Sequence, residues 1–430
     1  MGSLRALFRA HPNRFLLFSA IFCAILGIEI FYWPGLAGFA AIPKSLGLRD
    51  NPLTKDQLAQ VLADSTSFYR FPGEIEIPDH KKPIQAVVQY SFDPKLQDEM
   101  ENLFRTYHPD YGAFVAVDAT TGRVLSMVSY SDNKKVSENL TLRATFPSAS
   151  VFKVVTAAAA IEARKYSANT VIPFNGSNHT LYRNNILKTN YTRWTRYITL
   201  KDAFAKSVNT VFGKIGAYSV GPEELRQYAG RFGFNRRIAA DIPIQEGRAI
   251  IPQDPRDFWG LAETASGYTR ENTMSPLQGA LIAAAIVNDG VMMEPFVVQS
   301  VYTTEGAQIY AAEPRIGTLT VDAKTAAEIR NLMRQTVTSG TSHTAFRRFF
   351  THEFSSLNVG GKTGSLTGMD PPGKYDWFVG YADSGSQKIA IAALTIHEKF
   401  WRVKSSYLAR RAIESYFEGR LNYASRMNTH

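Results

Sequence analysis

Residues 147–165 read PSASVFKVVTAAAAIEARK, and this stretch decides the fold. From Ser150 onward it is apolar on nearly every face, which predicts a helix buried inside the protein, with Ser148 as its N-cap residue. Ser150 and Lys153 are three residues apart, so they share one face of that helix. A serine hydroxyl needs a neighbouring base to become a nucleophile, and burial among apolar groups lowers the proton affinity of a lysine. The pair therefore predicts a nucleophile and its base.

A second stretch, Ser131 to Lys134, has the same S-x-x-K spacing. No apolar helical pattern follows it, and we interpret it as a polar loop after a strand. The buried helix behind Ser150 is what distinguishes the two matches.

Ser207 and Asn209 form an S-x-N pattern within AFAKSVNTVFGKIG. Residues two apart point away from each other on a helix, so both can face one site only if the chain there is a loop between helices. The pattern also fits a plain helix break with Ser207 as a cap.

The segment Lys362-Thr363-Gly364-Ser365 occurs once. On a strand, Thr363 and Ser365 share a face and offer two hydroxyls to a substrate carboxylate. Gly364 leaves room for a ligand backbone, and Lys362 adds positive charge. A glycine-rich edge strand without a site is the alternative. WFVGY, residues 377–381, follows a DPPG turn and is the predicted hairpin partner.

The order of the elements predicts an α+β fold with a five-stranded antiparallel sheet flanked by helices and an all-helical subdomain. A strand near Ala86, a helix from Asp93 and two strands around the turn at 119–122 come first. The middle, residues 165–320, reads as helices and loops. Strands then return, and a last helix covers about 403–417, so that both ends of the chain share one sheet.

Composition sets limits on function. The chain has 430 residues, 45% hydrophobic and 20% charged, which is a globular balance. Its formal charge of +10 is scattered, whereas a nucleic-acid binder shows a dense basic stripe, so nucleic acid is not a predicted partner. A basic surface suits an anionic lipid or wall polymer. The eight histidines are dispersed, and neither a metal nor a cofactor is predicted.

The first 43 residues predict a membrane anchor. Met1 to Arg14 contain three arginines and no acid, and Phe15 to Ile28 carry no charge. This pattern predicts a cytoplasmic start, one transmembrane helix and an exported body. The alternative is a cleaved signal peptide with a small-x-small site at residues 38–40. The single cysteine, Cys23, lies here, so no intramolecular disulfide forms.

The three motifs occur in the order S-x-x-K, S-x-N and K-T-G, which is the set found in penicillin-binding proteins and related lactamases. Residues 86–416 resemble the transpeptidase domain of penicillin-binding proteins. FDPKLQ, ATTGRVLSMVS, FPSASVFK, LKDAFAKSVNTVF, MSPLQGALIAAAIVNDGVMMEP, VTSGTSHTA and GKTG with DWFVGY all look like landmarks of that family. We therefore expect residues 1–43 as the anchor, 44–85 as a juxtamembrane spacer, 86–420 as the transpeptidase domain and 421–430 as a tail.

The resemblance implies a role for each motif residue. Ser150 is the nucleophile, Lys153 its base, and Ser207 relays a proton to the leaving nitrogen from Lys153 or Lys362. Asn209 hydrogen-bonds the substrate amide. The hydroxyls of the K-T-G strand hold the substrate carboxylate, and the backbone N–H groups of Ser150 and Ser365 form the oxyanion hole.

The resemblance also implies partners and a location. The substrates are peptidoglycan stem peptides ending in D-Ala-D-Ala, and beta-lactams acylate the serine as inhibitors. The catalytic domain is expected on the periplasmic side of the bacterial inner membrane. A separate glycosyltransferase or another cell-wall synthesis protein is a candidate partner, because no glycosyltransferase domain fits before residue 86. We likewise expect no long pedestal of the kind that is usual in monofunctional transpeptidases.

Two other functions fit the same motifs. One is a hydrolase on this scaffold, either a D,D-carboxypeptidase or a beta-lactamase, including lactamases that use a carboxylated lysine. The E-x-x-L-N segment of one lactamase class has a match at Glu418 to Asn422, but it follows the third motif and we interpret it as chance. The other is a non-catalytic beta-lactam sensor or scaffold.

Overall fold

The computed structural model describes residues 53–63, 71–78, 83–132, 138–188, 191–350 and 352–421, all of them within the unit Pro52–His430. The α-helices are α1 (Lys55–Ala63), α2 (Pro94–Tyr107), α3 (Lys153–Arg164), α4 (Arg183–Leu187), α5 (Leu200–Ala205), α6 (Asn209–Lys214), α7 (Pro222–Arg231), α8 (Phe258–Ser266), α9 (Pro276–Val287), α10 (Ala323–Thr338), α11 (His343–Phe346) and α12 (Ser405–Phe417). Short 3₁₀-helices cover Ala149–Phe152 and His352–Phe354, and a π-helix covers Ile215–Val220.

The strands are β1 (Glu74–Ile77), β2 (Ile84–Tyr90), β3 (Tyr111–Asp118), β4 (Val124–Ser131), β5 (Phe146–Pro147), β6 (Val171–Phe174), β7 (Arg196–Thr199), β8 (Thr273–Met274), β9 (Val291–Met293), β10 (Val298–Thr303), β11 (Gln308–Ala311), β12 (Ile316–Leu319), β13 (Asn358–Met369), β14 (Pro372–Asp383) and β15 (Lys388–His397). Five of them form the central sheet in the order β13-β14-β15-β3-β4, with every neighbouring pair antiparallel. Strands from both ends of the chain thus share one sheet, which confirms the α+β prediction.

The central sheet is buried on both faces. Along β3, Ala113, Val115 and Val117 belong to one core cluster, while Phe114 and Ala116 belong to another, as the alternation of a strand requires. Helix α9 packs on the first face against β14, β15 and β3, and α2 and α12 pack on the second. The result is a helix–sheet–helix sandwich in which β13 is the outer strand, next to the 3₁₀-helix that carries Ser150.

The local predictions at the start of the domain are confirmed. Helix α2 begins after Asp93, whose carboxylate accepts a hydrogen bond from the Leu96 N–H at 3.0 Å, as an N-cap residue does. Strands β3 and β4 pair on either side of the predicted turn. In the K-T-G hairpin, Lys362 lies opposite Val379 and Thr363 opposite Phe378, so WFVGY is the partner strand that the sequence predicted.

The middle of the chain is not all-helical, and here the prediction is wrong. β6 pairs with β7, and β10 and β11 join β1 and β2 in a second, four-stranded sheet. β1 lies within the predicted spacer. β6, β7, β11 and β1 are only four residues long, too short for an alternating pattern to stand out from loop sequence.

The predicted anchor, residues 1–43, lies outside the described residues. In the part of the chain that is described, no helix combines the length and the apolar character needed to cross a bilayer. In the same part, no group of three or more His, Cys, Asp or Glu side chains is placed to bind a metal ion.

Candidate active site

Ser150 lies on a short 3₁₀-helix at the mouth of a cleft of about 870 Å³. Two details differ from the prediction. The α-helix begins at Lys153, not Ser150, and the Ser148 hydroxyl makes no cap hydrogen bond. Ala149 has a φ of 48°, in the left-handed region that non-glycine residues rarely adopt, which costs roughly 1–2 kcal/mol. That turn leaves Ser150 partly exposed in the cleft while its neighbours on both sides are buried.

Two residues distant in sequence hold this turn. Gly267 follows helix α8 with a φ of 67°, and a Cβ placed there would lie 1.9 Å from the Ala149 carbonyl oxygen. Only glycine allows so close an approach. On the other side, the Trp377 Nε1–H of β14 donates a hydrogen bond to the Pro147 carbonyl at 2.9 Å. The Ser150 turn is thus fixed between a helix end and the central sheet.

The Lys153 amine lies at the centre of the site and is fully buried. Its Nζ is 2.8 Å from the Ser150 Oγ, 2.8 Å from the Asn209 Oδ1 and 2.5 Å from the Ser266 carbonyl oxygen. Burial, helped by the positive charge of Lys362, holds the pKa of Lys153 well below its ordinary value. The predicted contact between Ser150 and Lys153 is confirmed.

Ser207 and Asn209 lie at the junction of α5 and α6, which is the loop between helices that the S-x-N prediction required. Ser207 sits in the connecting turn with a φ of 53°, and Asn209 is the first residue of α6. The N-cap position of α6 belongs to Val208, so the reading of Ser207 as a plain cap is wrong. The Asn209 backbone N–H and Nδ2 donate to the Asn178 and His179 carbonyls, each at 2.8 Å.

Lys362 is fully buried on β13. Its Nζ donates to the Ser207 Oγ at 3.0 Å and to the Thr363 carbonyl at 2.8 Å. Burial lowers its pKa to about 7. The first and second motifs therefore meet through Lys153 and Asn209, and the second and third meet through Ser207 and Lys362.

The residues of the K-T-G strand alternate between the cleft and the protein interior, as predicted. Thr363 and Ser365 line the cleft and are at least partly exposed, whereas Lys362 and Gly364 are buried. A Cβ on Gly364 would lie 3.3 Å from side-chain atoms of Ala149 and Val151. Glycine at 364 thus lets the outer strand pack closely on the Ser150 turn, a reason that differs from the predicted room for a ligand backbone.

Sequence reasoning missed three residues of the site. The Ser266 carbonyl accepts from Lys153, but a backbone group leaves no signal in the sequence. Thr341, within VTSGTSHTA, places its Oγ1 2.6 Å from the Thr363 Oγ1. His179 lines the cleft, and its pKa is lowered by burial and by the charges of Lys153 and Lys362, which favours the neutral imidazole.

The acidic groups near the site are few. Among the described residues that line the cleft, Asp376 is the one carboxylate, and it accepts a hydrogen bond from the Ser405 N–H at 2.8 Å. Glu418, from the E-x-x-L-N match, lies instead in a separate groove and pairs with Lys95 at 2.6 Å. The interpretation of that match as chance agrees with this position.

The fold and the site together define a serine enzyme whose nucleophile is paired with a buried lysine. The family model of the penicillin binding protein transpeptidase domain matches residues 112–414, and the chain belongs to that family. A curated relative, peptidoglycan D,D-transpeptidase PbpA of Mycobacterium tuberculosis, is 29% identical over 352 residues, spanning 73% of this chain and 68% of its own length.

Two solved structures are similar as well. The D,D-transpeptidase domain of a peptidoglycan glycosyltransferase from Eggerthella lenta aligns with a TM-score of 0.64 and 26% identity, covering 77% of this chain and 83% of that one. The penicillin G acyl-enzyme complex of penicillin-binding protein A from M. tuberculosis aligns with a TM-score of 0.60 and 25% identity, covering 77% and 81%.

Proposed function

We propose that this protein is a peptidoglycan D,D-transpeptidase that cross-links stem peptides through an acyl-serine intermediate on Ser150. The observation that carries the proposal is the 2.8 Å contact between the Ser150 Oγ and the fully buried Lys153 Nζ, in the cleft that Thr363 and Ser365 line. The named activity of the M. tuberculosis relative supports it.

Acylation begins with the neutral Lys153 amine. A neutral amine carries two N–H donors and one lone pair. The Asn209 Oδ1 and the Ser266 carbonyl accept the two N–H groups, so the lone pair accepts the Ser150 O–H. As Oγ attacks the carbonyl of the penultimate D-Ala, the Ser150 proton passes to Lys153. The C–N bond then breaks, and the terminal D-Ala leaves with a proton relayed through Ser207.

Binding of the donor peptide uses the outer strand β13. The hydroxyls of Thr363 and Ser365 donate hydrogen bonds to the terminal carboxylate, and the Lys362 charge behind them attracts it. The free edge of β13 pairs with the extended peptide as an added strand. The N–H groups of Ser150 and Ser365 stabilise the oxyanion.

Asn209 has a role that extends the one implied by resemblance. An amide side chain has two donors and two acceptor lone pairs. In this site one of each is used, because Oδ1 accepts from Lys153 and Nδ2 donates to the His179 carbonyl. One N–H and one lone pair are left for the substrate amide. Asn209 therefore orients the base and contacts the peptide at once.

Transfer, and not hydrolysis, completes the reaction in this proposal. An amine of a neighbouring stem peptide attacks the acyl-Ser150 carbonyl, the new amide forms, and Oγ regains its proton. The position of Glu418 outside the cleft favours this outcome over that of a lactamase with a deacylating glutamate from the E-x-x-L-N segment. We further propose that residues 1–43 anchor the enzyme in the inner membrane, with the catalytic domain in the periplasm.

Labelling with a fluorescent penicillin tests the nucleophile. Ser150→Ala is expected to abolish covalent labelling. Ser131→Ala, in the other S-x-x-K match, is the matched control and keeps it. Labelling of Ser150→Ala at the wild-type level would refute the assignment.

A stem-peptide thioester with a D-amino acid acceptor separates the candidate functions. A transpeptidase releases the exchanged peptide product, whereas a carboxypeptidase or lactamase releases the free acid. A sensor becomes labelled by penicillin but turns over neither the thioester nor the beta-lactam. Free acid as the sole product would remove the transpeptidase proposal.

A further inference from the structure

The chain between the first two motifs has an unusual charge pattern. The 39 residues between Glu162 and Asp202 contain no Asp or Glu, but seven Lys or Arg. Although basic residues are scattered along the whole chain, this segment carries a formal charge of +7 (7 basic minus 0 acidic residues). Neutral and anionic ligands can approach this segment without meeting a carboxylate of its own.

The same segment exposes large aromatic side chains. Tyr182 is 58% exposed, Tyr191 65%, Trp194 73% and Tyr197 67%. We call these four residues the aromatic lip. Single exposed apolar residues are ordinary, but four aromatic rings within 16 residues are typical of a binding surface.

The segment that carries the aromatic lip also reaches the catalytic cleft, because His179 lines that cleft. Asn178, within the connection between β6 and α4, accepts the Asn209 backbone N–H at 2.8 Å, and the carbonyl of His179 accepts the Asn209 Nδ2 donor. The Arg196 guanidinium on β7 reaches the Asn178 Oδ1 at 3.5 Å. The strand that carries Tyr197 is therefore linked to Asn209 of the S-x-N motif through Arg196 and Asn178.

Local contacts hold the lip in place. The Arg196 guanidinium lies 4.3 Å from the centre of the Phe174 ring, which ties β7 to β6. In the turn before β7, the Thr192 N–H donates to the Thr195 Oγ1 at 2.9 Å, and the Arg193 guanidinium stacks 4.8 Å from the Trp194 ring. An ordered aromatic surface loses little conformational entropy when it binds a ligand.

We propose that the aromatic lip binds the glycan strand and neighbouring stem peptides of peptidoglycan beside the cleft, so that this surface selects polymeric over free peptide substrates. The inference rests on the proposed function. The apolar C–H faces of sugar rings pack on aromatic rings, whose faces carry negative charge density. Stem-peptide carboxylates pair with the basic side chains of the segment, such as Arg193.

An anionic membrane is the other ligand that exposed Trp, Tyr and Arg side chains suit. Continuity with the catalytic cleft favours the polymer. A stem peptide held at β13 and Asn209 is attached to a glycan strand, and that strand must leave the cleft along one of its walls. His179 lines the cleft, and Tyr182, the first residue of the lip, follows it three residues later in the chain.

Sedimentation of the full-length protein with purified, insoluble peptidoglycan tests the proposal. Trp194→Ala/Tyr197→Ala is expected to weaken this binding about tenfold, from the loss of two stacking contacts. Ile316→Ala/Leu319→Ala is the matched control, because it also removes two large, exposed, uncharged side chains, which lie on β12. The control is expected to bind like the wild type.

Three further readouts separate the outcomes. Fluorescent-penicillin labelling of the lip variant stays within about twofold of wild type, because the site that it reports is intact. Unchanged sedimentation of the lip variant, or an equal loss in the control, overturns the proposal. So does a variant that keeps peptidoglycan binding but no longer prefers phosphatidylglycerol over phosphatidylcholine vesicles, which assigns the lip to an anionic membrane surface. The wild type could fail the thioester transfer assay while the lip variant still sediments less with peptidoglycan than the wild type does. That result would refute the transpeptidase proposal and support the peptidoglycan-binding role of the lip.

Discussion

Gly267→Ala is expected to damage the active site without touching a catalytic side chain. The new Cβ would lie 1.9 Å from the Ala149 carbonyl oxygen, and real Cβ atoms essentially never come within 3.0 Å of a neighbour. The contact must therefore open by about 1.1 Å, and the residue that moves directly precedes Ser150. A misplacement of about 1 Å at a reacting group costs roughly 100-fold in rate. We expect penicillin acylation to slow by about that factor.

Gly267→Ala is also expected to lower the free energy of unfolding. Alanine at a φ of 67° costs roughly 1–2 kcal/mol, and the forced contact adds about 1–3 kcal/mol. Gly306→Ala is the matched control, because Gly306 has a φ of 88° and nothing lies within 4 Å of its Cβ position. The free energy of unfolding of Gly306→Ala should therefore fall only by the roughly 1–2 kcal/mol that alanine at a positive φ costs. This variant should be acylated at the normal rate. Stopped-flow acylation and thermal unfolding measure both effects. Equal acylation rates for the two variants would refute the reasoning about the Ser150 turn.

The pKa values of two buried lysines predict a bell-shaped acylation profile. The rate rises with pH as Lys153 loses its proton, and falls above about pH 7 as Lys362 loses the charge that attracts the substrate carboxylate. Lys362→Arg, which stays charged, should lack the alkaline limb, and a limb that persists there would contradict this role. Thr341→Val removes the 2.6 Å hydroxyl partner of Thr363 and should weaken penicillin binding before acylation by about fivefold, with little change in the acylation rate at saturation. Trp377→Phe leaves a buried carbonyl unsatisfied and should lower the free energy of unfolding by roughly 1–3 kcal/mol, measured by urea denaturation; a loss below 0.5 kcal/mol would show that this hydrogen bond does not hold the Ser150 turn.

Contacts within one element could be predicted from the sequence. Ser150 and Lys153 meet because residues three apart on a helical turn share a face, whether its first turn is 3₁₀ or α. The alternation of side chains along β13 follows from the two-residue period of a strand. The pairing of β13 with β14 follows from the short turn that joins them. The middle of the chain was predicted less well, because β6 and β7 are too short to show a period.

Contacts between segments that are far apart in the sequence could not be predicted from local sequence patterns. Lys362 and Ser207 are 155 residues apart, and nothing in either motif says that the lysine donates to that hydroxyl. The sequence also contained no sign that the end of α8 supplies a carbonyl to Lys153, or that Gly267 and Gly364 are needed for close packing on one turn.

The sequence by itself determined the chemistry available to this protein: a serine with a lysine one turn away, an S-x-N turn, and a strand with two hydroxyls on one face. Only the tertiary structure decided which lysine amines are buried, which oxygen each amine meets, and which aromatic side chains stay exposed beside the segment of His179. Local spacing is encoded by the geometry of one helix or strand. Burial and charge, which set the pKa of Lys153, arise from side chains that packing brings together from across the chain.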